Sequence, residues 1–158
     1  RRAAERECRR SPQKGLIDMD DGKRRSYFRQ VDKEPFARLL NIRLDDIREG
    51  YARCEMVYTD DMDNIYGNAH GGAIFGLIDE AFEISSNSHD RISVALNMNV
   101  TYMKPPKKGS LLVAESNETH KTNRTASYYI TVKEGEDLIA VCQALVYRKA
   151  DPIPFIKS

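Results

Sequence analysis

The feature that most constrains the fold is residues 92–102, where the side chains alternate between two sets. Residues of the first set are apolar, whereas those of the second are small or polar. The first set is Ile92, Val94, Leu96, Met98, Val100 and Tyr102, and the second is Ser93, Ala95, Asn97, Asn99 and Thr101. A period of two residues places successive side chains on opposite faces of an extended chain. The segment therefore predicts a long β-strand in which Ala95 and Asn97 face the same side.

Shorter segments of similar character, bounded by turn-forming residues, predict five more strands. They cover residues 42–47, 51–58, 111–119, 126–133 and 138–147. Residues 27–40 carry helical signals, with Asp32 as a possible N-cap, Pro35 in the first turn and Asn41 as a stop. The order is helix, two strands, one long helix and four strands. Because strands and helices do not alternate, the sequence predicts an α+β domain with a largely antiparallel sheet.

The long helix follows a polar loop that starts at Asn64. His70, Gly71 and Gly72 stand at the junction, and four apolar residues with helical spacing follow: Ile74, Leu77, Ile78 and Ala81. This spacing predicts a helix over residues 71–85. Glycines at a helix start allow a ligand to approach bare backbone N–H groups, where the helix dipole favours negative charge. Asp79 interrupts the apolar segment and is the strongest candidate for a functional carboxylate.

The pattern Asn-x5-His-Gly-Gly-x7-Asp, from Asn64 to Asp79, resembles the signature of the hotdog-fold acyl-CoA thioesterases of the phenylacetate-degradation (PaaI-like) family. The resemblance covers about residues 32–149. It implies a long antiparallel sheet wrapped around one central helix, and a homodimer or homotetramer with composite active sites. It also implies hydrolysis of an acyl-CoA thioester without a metal or a bound cofactor.

The resemblance also assigns catalytic roles to four residues. Asp79 would act either as a general base that activates water or as the nucleophile, and the sequence leaves both open. The backbone N–H of Gly71 would hold the oxyanion, His70 would organise the loop, and Asn64 would orient substrate or water. Glu80 and Glu83 flank Asp79, and we interpret both as solvated or interface residues on other faces of the helix.

Further residues are candidates for substrate binding. The acyl pocket is expected near Phe75, Phe82 and the 92–102 strand, and coenzyme A is expected at the basic turns 102–107 and 121–126. Some relatives carry a serine at the position of Ala95, and Ser93 is two residues away on the same face. The substrate-binding candidates are Gly72, Phe75, Ala95, Asn97, Tyr102, Lys104, Lys121 and Arg124.

Length, charge and cysteine content limit the number of domains, the classes of partner and the cellular compartment that we expect. The 158 residues suit one domain, for which we expect the bounds 27–149 between a basic, flexible tail (1–26) and a C-terminal tail (150–158). A net charge of +1 gives no support for nucleic-acid binding, and no apolar run is long enough for a membrane span. The three scattered cysteines show no metal-ligand spacing and fit a reduced, cytoplasmic protein, with Cys54 and Cys142 as small buried residues.

Two alternatives remain at this point. A non-catalytic acyl-CoA-binding hotdog module would need no base, so Asp79 and Asn64 favour an enzyme. A hotdog hydratase-dehydratase would need another arrangement of His and Asp, which the sequence lacks. The acyl group itself does not follow from the sequence.

Overall fold

Six antiparallel strands form a single sheet in the computed structural model of the chain, which describes residues 19–156. The spatial order of the strands is β1-β2-β4-β5-β6-β3, so β1 and β3 form the two edges. The helices are α1 (Asp21–Val31), α2 (Pro35–Leu39) and α3 (Gly71–Asn87). The strands are β1 (Arg43–Arg48), β2 (Tyr51–Val57), β3 (Arg91–Tyr102), β4 (Leu111–Lys121), β5 (Thr125–Glu134) and β6 (Asp137–Pro152). The predicted α+β class and antiparallel sheet are confirmed.

The central helix α3 packs against the concave face of this sheet. All four residues that predicted the helix, Ile74, Leu77, Ile78 and Ala81, are buried. Gly76 faces α2, where an added Cβ would lie 2.6 Å from a methyl carbon of Leu40. Glycine at this position therefore allows the two helices to approach each other closely.

The N-terminal helical region differs from the prediction. Two helices replace the single one expected over residues 27–40, and α1 begins at Asp21 because the Asp20 carboxylate accepts hydrogen bonds from two N–H groups of its first turn. Asp32 is the C-cap of α1, so its predicted N-cap role is wrong. Asn41 has a φ of 53° and follows α2, which confirms it as the stop.

The predicted tails overlap ordered structure where they are described. Residues 1–18 and 157–158 of those tails lie outside the described residues. Residues 21–26 form the start of α1, and residues 150–152 extend β6. Beyond β6, Ile153 is buried and Phe155 packs edge-to-face on Tyr27 at a ring distance of 5.1 Å.

Strand β3 has the predicted length, but its alternation is broken by a β-bulge. Ala95 pairs with Val146 on β6 and Asn97 with its neighbour Leu145, which leaves Leu96 as the extra residue. Val146 is buried, whereas Leu145 is exposed. Paired residues share a face of the sheet, so Ala95 faces the core side and Asn97 the outer side. The prediction that these two side chains point the same way is wrong.

A polar cluster at the far end of α3 joins three parts of the fold. The His89 ring lies 2.7 Å from the Glu118 carboxylate, which also accepts a 2.9 Å hydrogen bond from the Tyr128 hydroxyl. Gly50, with a φ of +70°, forms the β1–β2 turn beside this cluster, and an added Cβ would lie 2.9 Å from Cβ of Glu118. Burial would raise the pKa of Glu118, but the contacts with His89, Tyr128 and Lys121 hold it below its ordinary value.

We expect Glu118→Gln to destabilise the protein most at neutral pH. A carboxyl whose pKa is lowered on folding stabilises the folded state above its unfolded value, and that stabilisation is lost as pH falls through the folded value. The gap in unfolding free energy between wild type and variant should therefore narrow below about pH 4.5, the ordinary glutamate value. Urea titrations at several pH values measure this difference in unfolding free energy. Glu136→Gln, on an exposed turn, is the control. A gap that stays constant with pH would contradict the prediction.

Candidate active site

One stripe along α3 is left open by the sheet and the other helices. The residues of this stripe are spaced by three or four positions, so they share one face of the helix. They are Gly72, Phe75, Asp79 and Glu83, and each is half-buried or exposed, whereas most other α3 residues are buried. The prediction that Glu83 lies on a different face from Asp79 is therefore wrong. We call these four residues the open stripe.

Asp79 is the central residue of the open stripe. Burial raises the pKa of its carboxyl above the ordinary value. No hydrogen bond or ion pair reaches this carboxylate from residues 19–156. A half-buried, unpaired carboxylate with a raised pKa is suited to accept a proton or to attack an electrophile.

The helix start provides a hydrogen-bond donor. His70 is the N-cap, and its Nδ1 accepts a 2.9 Å hydrogen bond from the Gly72 N–H, while the His70 carbonyl accepts from Ala73 and Ile74. The Gly71 N–H has no acceptor within residues 19–156. Of these amides, Gly71 is thus the one left for a ligand, at the positive end of the helix dipole.

Tyr102 covers the same turn from the end of β3. Its hydroxyl donates a 2.9 Å hydrogen bond to the Gly71 carbonyl oxygen. A Cβ at Gly71 would lie 3.3 Å from both Cζ and the hydroxyl of Tyr102, so the ring packs closely on this glycine. The structure thus joins two predicted site residues that are distant in sequence.

Asn64 organises the loop that precedes the helix. Its side-chain oxygen accepts hydrogen bonds from the N–H groups of Tyr66 (2.9 Å) and Asn68 (3.3 Å). Its side-chain NH₂ group has no partner within the described residues. Asp63 anchors the loop through Tyr58 and Lys108, at 2.5 and 2.7 Å. This anchor does not follow from the sequence, because Lys108 is 45 residues from Asp63 along the chain.

The candidates on β3 divide between the two faces of the sheet. Ala95 lies on the core side together with Ser93, whose hydroxyl donates to the Ser86 carbonyl of α3 at 2.9 Å. The prediction that Ser93 and Ala95 share a face is confirmed. Asn97 lies on the outer side, away from the α3 of its own chain.

The two basic turns lie at opposite ends of β3. The first, residues 102–107, begins at the last residue of β3. In the second, Arg124 adjoins Arg148 of β6, which pairs with Ser93 near the start of β3. At about 3.3 Å per residue, the length of β3 separates the turns by roughly 30 Å. One coenzyme A molecule therefore does not bridge both turns of one chain.

Several cations of these turns already have partners. Lys104 forms an ion pair with Asp137 at 2.7 Å, and Lys121 contacts the His89 ring at 3.1 Å. The side chains of Lys107 and Arg124 are exposed and form no ion pair within residues 19–156. They are the best placed of the basic residues to meet a phosphate.

Glu80 differs most from its predicted environment. It is 2% exposed, so the interpretation as a solvated residue is wrong. Its carboxyl, with those of Glu34 and Glu83, offers oxygens that all lie within 4.8 Å of one another, an arrangement that could hold a metal ion. Burial raises the pKa of Glu80 to about 8, and the charges of Glu34 and Glu83 add to this effect. The signal was present in the sequence, because Glu80 continues the apolar spacing of Leu77 and Ile84.

Phe82 is also placed differently from the expected acyl pocket. It is 1% exposed and packs against Tyr128 at a ring distance of 5.4 Å, inside the core. Phe75, on the open stripe, remains half-buried and accessible.

Comparisons with known proteins identify relatives of this chain. Residues 66–141 match the family model described as the Thioesterase superfamily. A protein of Archaeoglobus fulgidus is 39% identical over 131 residues, which cover 82% of this chain and 84% of that protein. The acyl-coenzyme A thioesterase PaaI of Escherichia coli is 30% identical over 101 residues, 64% of this chain and 72% of that enzyme.

The fold comparison points the same way. The structure of the E. coli PaaI protein from the phenylacetic acid degradation operon superposes with a TM-score of 0.77 at 25% identity, covering 81% of this chain and 94% of that one. The sheet wrapped around α3 is the hotdog fold that the resemblance implied. The chain therefore belongs to the thioesterase superfamily, as a PaaI-like hotdog thioesterase.

Proposed function

We propose that this protein hydrolyses an acyl-CoA thioester to the free acid and coenzyme A. The observation that carries the proposal is on α3, which bears both an unpaired carboxylate with a raised pKa, Asp79, and a backbone N–H without an acceptor, Gly71. Thioester hydrolysis needs these two groups, since one promotes attack on the carbonyl carbon and the other stabilises the oxyanion that forms.

The chemistry uses protein groups and water. Asp79 either takes a proton from the attacking water or attacks the carbonyl carbon itself, and in both cases the carbonyl oxygen becomes an oxyanion held by the Gly71 N–H. Collapse of the tetrahedral intermediate breaks the C–S bond and releases the coenzyme A thiolate. In the second case water then hydrolyses the acyl-aspartate anhydride. The free side-chain NH₂ of Asn64 is available to orient water or the substrate carbonyl.

The site is composite in this proposal, because Gly71 and Asp79 are eight residues apart on one helix. At about 1.5 Å rise per residue they are roughly 12 Å apart along the axis, too far to contact one carbonyl group. Two α3 helices running antiparallel across a two-fold axis would bring the Gly71 of one chain to the Asp79 of the other. The same axis would bring together the two basic turns, which lie at opposite ends of β3.

Binding of the coenzyme A phosphates can be tested through charge. We expect Lys107→Ala and Arg124→Ala each to raise KM several-fold with little change in kcat, since they would remove binding that is equal in ground and transition states. Added salt should raise the wild-type KM in the same direction. The control is Lys133→Ala, an exposed lysine in β5. A KM that responds to neither variant nor salt would leave these turns without a role in binding.

The proposed activity itself is tested by thiol release from a panel of acyl-CoA thioesters. The panel should include short-chain, medium-chain and aryl-acetyl groups, because Phe75 and the open stripe accommodate an apolar acyl group without fixing its length. Turnover of at least one thioester that Asp79→Asn abolishes would support the proposal. Binding of acyl-CoA without turnover of any panel member would instead identify a non-catalytic module.

A further inference from the structure

The acidic cluster beside the open stripe consists of Glu34, Glu80 and Glu83. Glu34 precedes α2, where it is the N-cap residue but makes no side-chain capping bond, and the other two residues belong to α3. Their carboxyl oxygens lie within 4.8 Å of one another. No lysine, arginine or histidine forms an ion pair with any of the three within residues 19–156. Three carboxyl groups thus converge without a compensating cation from the described chain.

A second observation concerns one atom of this cluster. Oε1 of Glu80 is fully buried and has no hydrogen-bond partner, although the residue as a whole is 2% exposed. The Glu80 carboxyl hydrogen-bonds to Glu34, which accounts for only part of its bonding capacity. A buried oxygen left unpaired costs free energy, so its retention requires a reason.

Space for a ligand is present next to the cluster. A cavity of about 230 Å³ lies between α1, α3, the start of β3 and the C-terminal segment, and both Glu34 and Glu83 line it. The side chains of Gln30 and Asn87 add polar groups to its wall. The cavity can hold several water molecules, so an ion at the cluster would not depend on the carboxylates alone for its ligands.

We propose that Glu34, Glu80 and Glu83 bind a hard divalent cation of the Ca²⁺ type. Such an ion takes six to eight oxygen ligands at 2.3–2.6 Å, so two of its ligands are at most about 5 Å apart, and the cluster meets this limit. The ion would accept the unpaired Oε1 of Glu80 as a ligand and neutralise the converging charges. It would also connect the start of α2 to α3, one helical turn from Asp79.

This ion has no role in the proposed hydrolysis, and its test is a binding measurement. Protein comprising residues 1–158 is freed of metals with EDTA and transferred to chelator-free buffer. It is then titrated with Mn²⁺, and free Mn²⁺ is followed by electron paramagnetic resonance. We expect one Mn²⁺ per chain, displaced by Ca²⁺, with a Kd of about 1 mM or tighter. Ca²⁺ should also raise the melting temperature, since it binds the folded state.

Three variants make the assignment specific. Glu34→Gln and Glu80→Gln keep the side-chain shape, so both should fold, and each should weaken Mn²⁺ binding at least about 10-fold. Glu136→Gln, which removes an exposed carboxylate far from the cluster in the β5–β6 turn, should bind as wild type does. If wild type binds no Mn²⁺ in this range, or if Glu34→Gln and Glu80→Gln bind like wild type, the cluster holds only a shared proton and the proposal is overturned.

Discussion

Replacing Asp79 with asparagine is expected to reduce turnover by about 100-fold or more while the protein remains folded. Asparagine matches the shape of aspartate but neither accepts a proton at neutral pH nor attacks a thioester. The melting temperature should stay the same or rise, because burial disfavours the charged carboxylate that the substitution removes. Single-turnover and steady-state thiol release, together with thermal unfolding, measure the two effects.

Two controls make the Asp79 result interpretable. Glu136→Gln removes a carboxylate from an exposed turn and should leave turnover unchanged. Mass spectrometry of the Asp79→Asn protein should exclude deamidation back to aspartate, which would restore activity in a fraction of the chains. Near-normal turnover in protein verified in this way would show that Asp79 is neither base nor nucleophile.

Mixing two inactive chains is expected to restore activity if the sites are composite. One chain carries Asp79→Ala and the other Gly71→Val. Valine at Gly71 would place Cβ 3.3 Å from the Tyr102 hydroxyl, and its two methyl groups would crowd the space beside the oxyanion donor. In a mixed dimer one site has both lesions and the other has neither.

The expected size of the recovery follows from counting sites. Random assortment of equal amounts makes half of the dimers mixed, each with one intact site of two, so activity should return to about a quarter of wild type. Different affinity tags on the two chains allow mixed dimers to be isolated and confirmed. Mixing Asp79→Ala with Asp79→Asn chains is the matched control and should restore nothing. Confirmed mixed dimers without activity would show that the two residues do not share a site across an interface.

The helices and strands that could be predicted are those in which apolar residues recur at regular spacing along the sequence. Central helix α3 begins at the predicted residue 71, and strand β3 begins one residue before the predicted 92, because a helix or strand must place its apolar residues on the buried side. The start of α1 was missed because it depends on one capping side chain, Asp20, in a segment with few apolar residues. Capping is a local hydrogen bond, and it leaves little trace in a hydrophobic pattern.

The bulge in β3 does not follow from the sequence of the strand. Its alternation is unbroken from residue 92 to residue 102, yet pairing with β6 shifts at Leu96 and moves Asn97 to the opposite face from Ala95. Register is set by the partner strand and by packing on α3, neither of which a single strand encodes. The signature from Asn64 to Asp79 could be located from sequence, but the Tyr102 contact with Gly71 needed the fold.

Glu80 shows a related limit within the helix. Its position in the apolar spacing of Leu77 and Ile84 indicates burial, whereas its residue type suggests solvent. Glu80 is buried in the structure, as its spacing indicates. The packing of the whole helix outweighs the cost of burying one carboxyl group that can remain protonated.

The two edges of the sheet differ in how they would behave in a crowded solution. Edge strand β1 carries four charged side chains, Arg43, Asp45, Asp46 and Arg48, which discourage the addition of a foreign strand. Edge strand β3 is twice as long and has only Arg91 as a charged residue, while Val94 and Leu96 are 37% and 58% exposed. An isolated chain would therefore expose an aggregation-prone edge, with irregular pairing at its start and at the bulge at Leu96. Variants that leave β3 uncovered should be lost to precipitation rather than persist as soluble single chains.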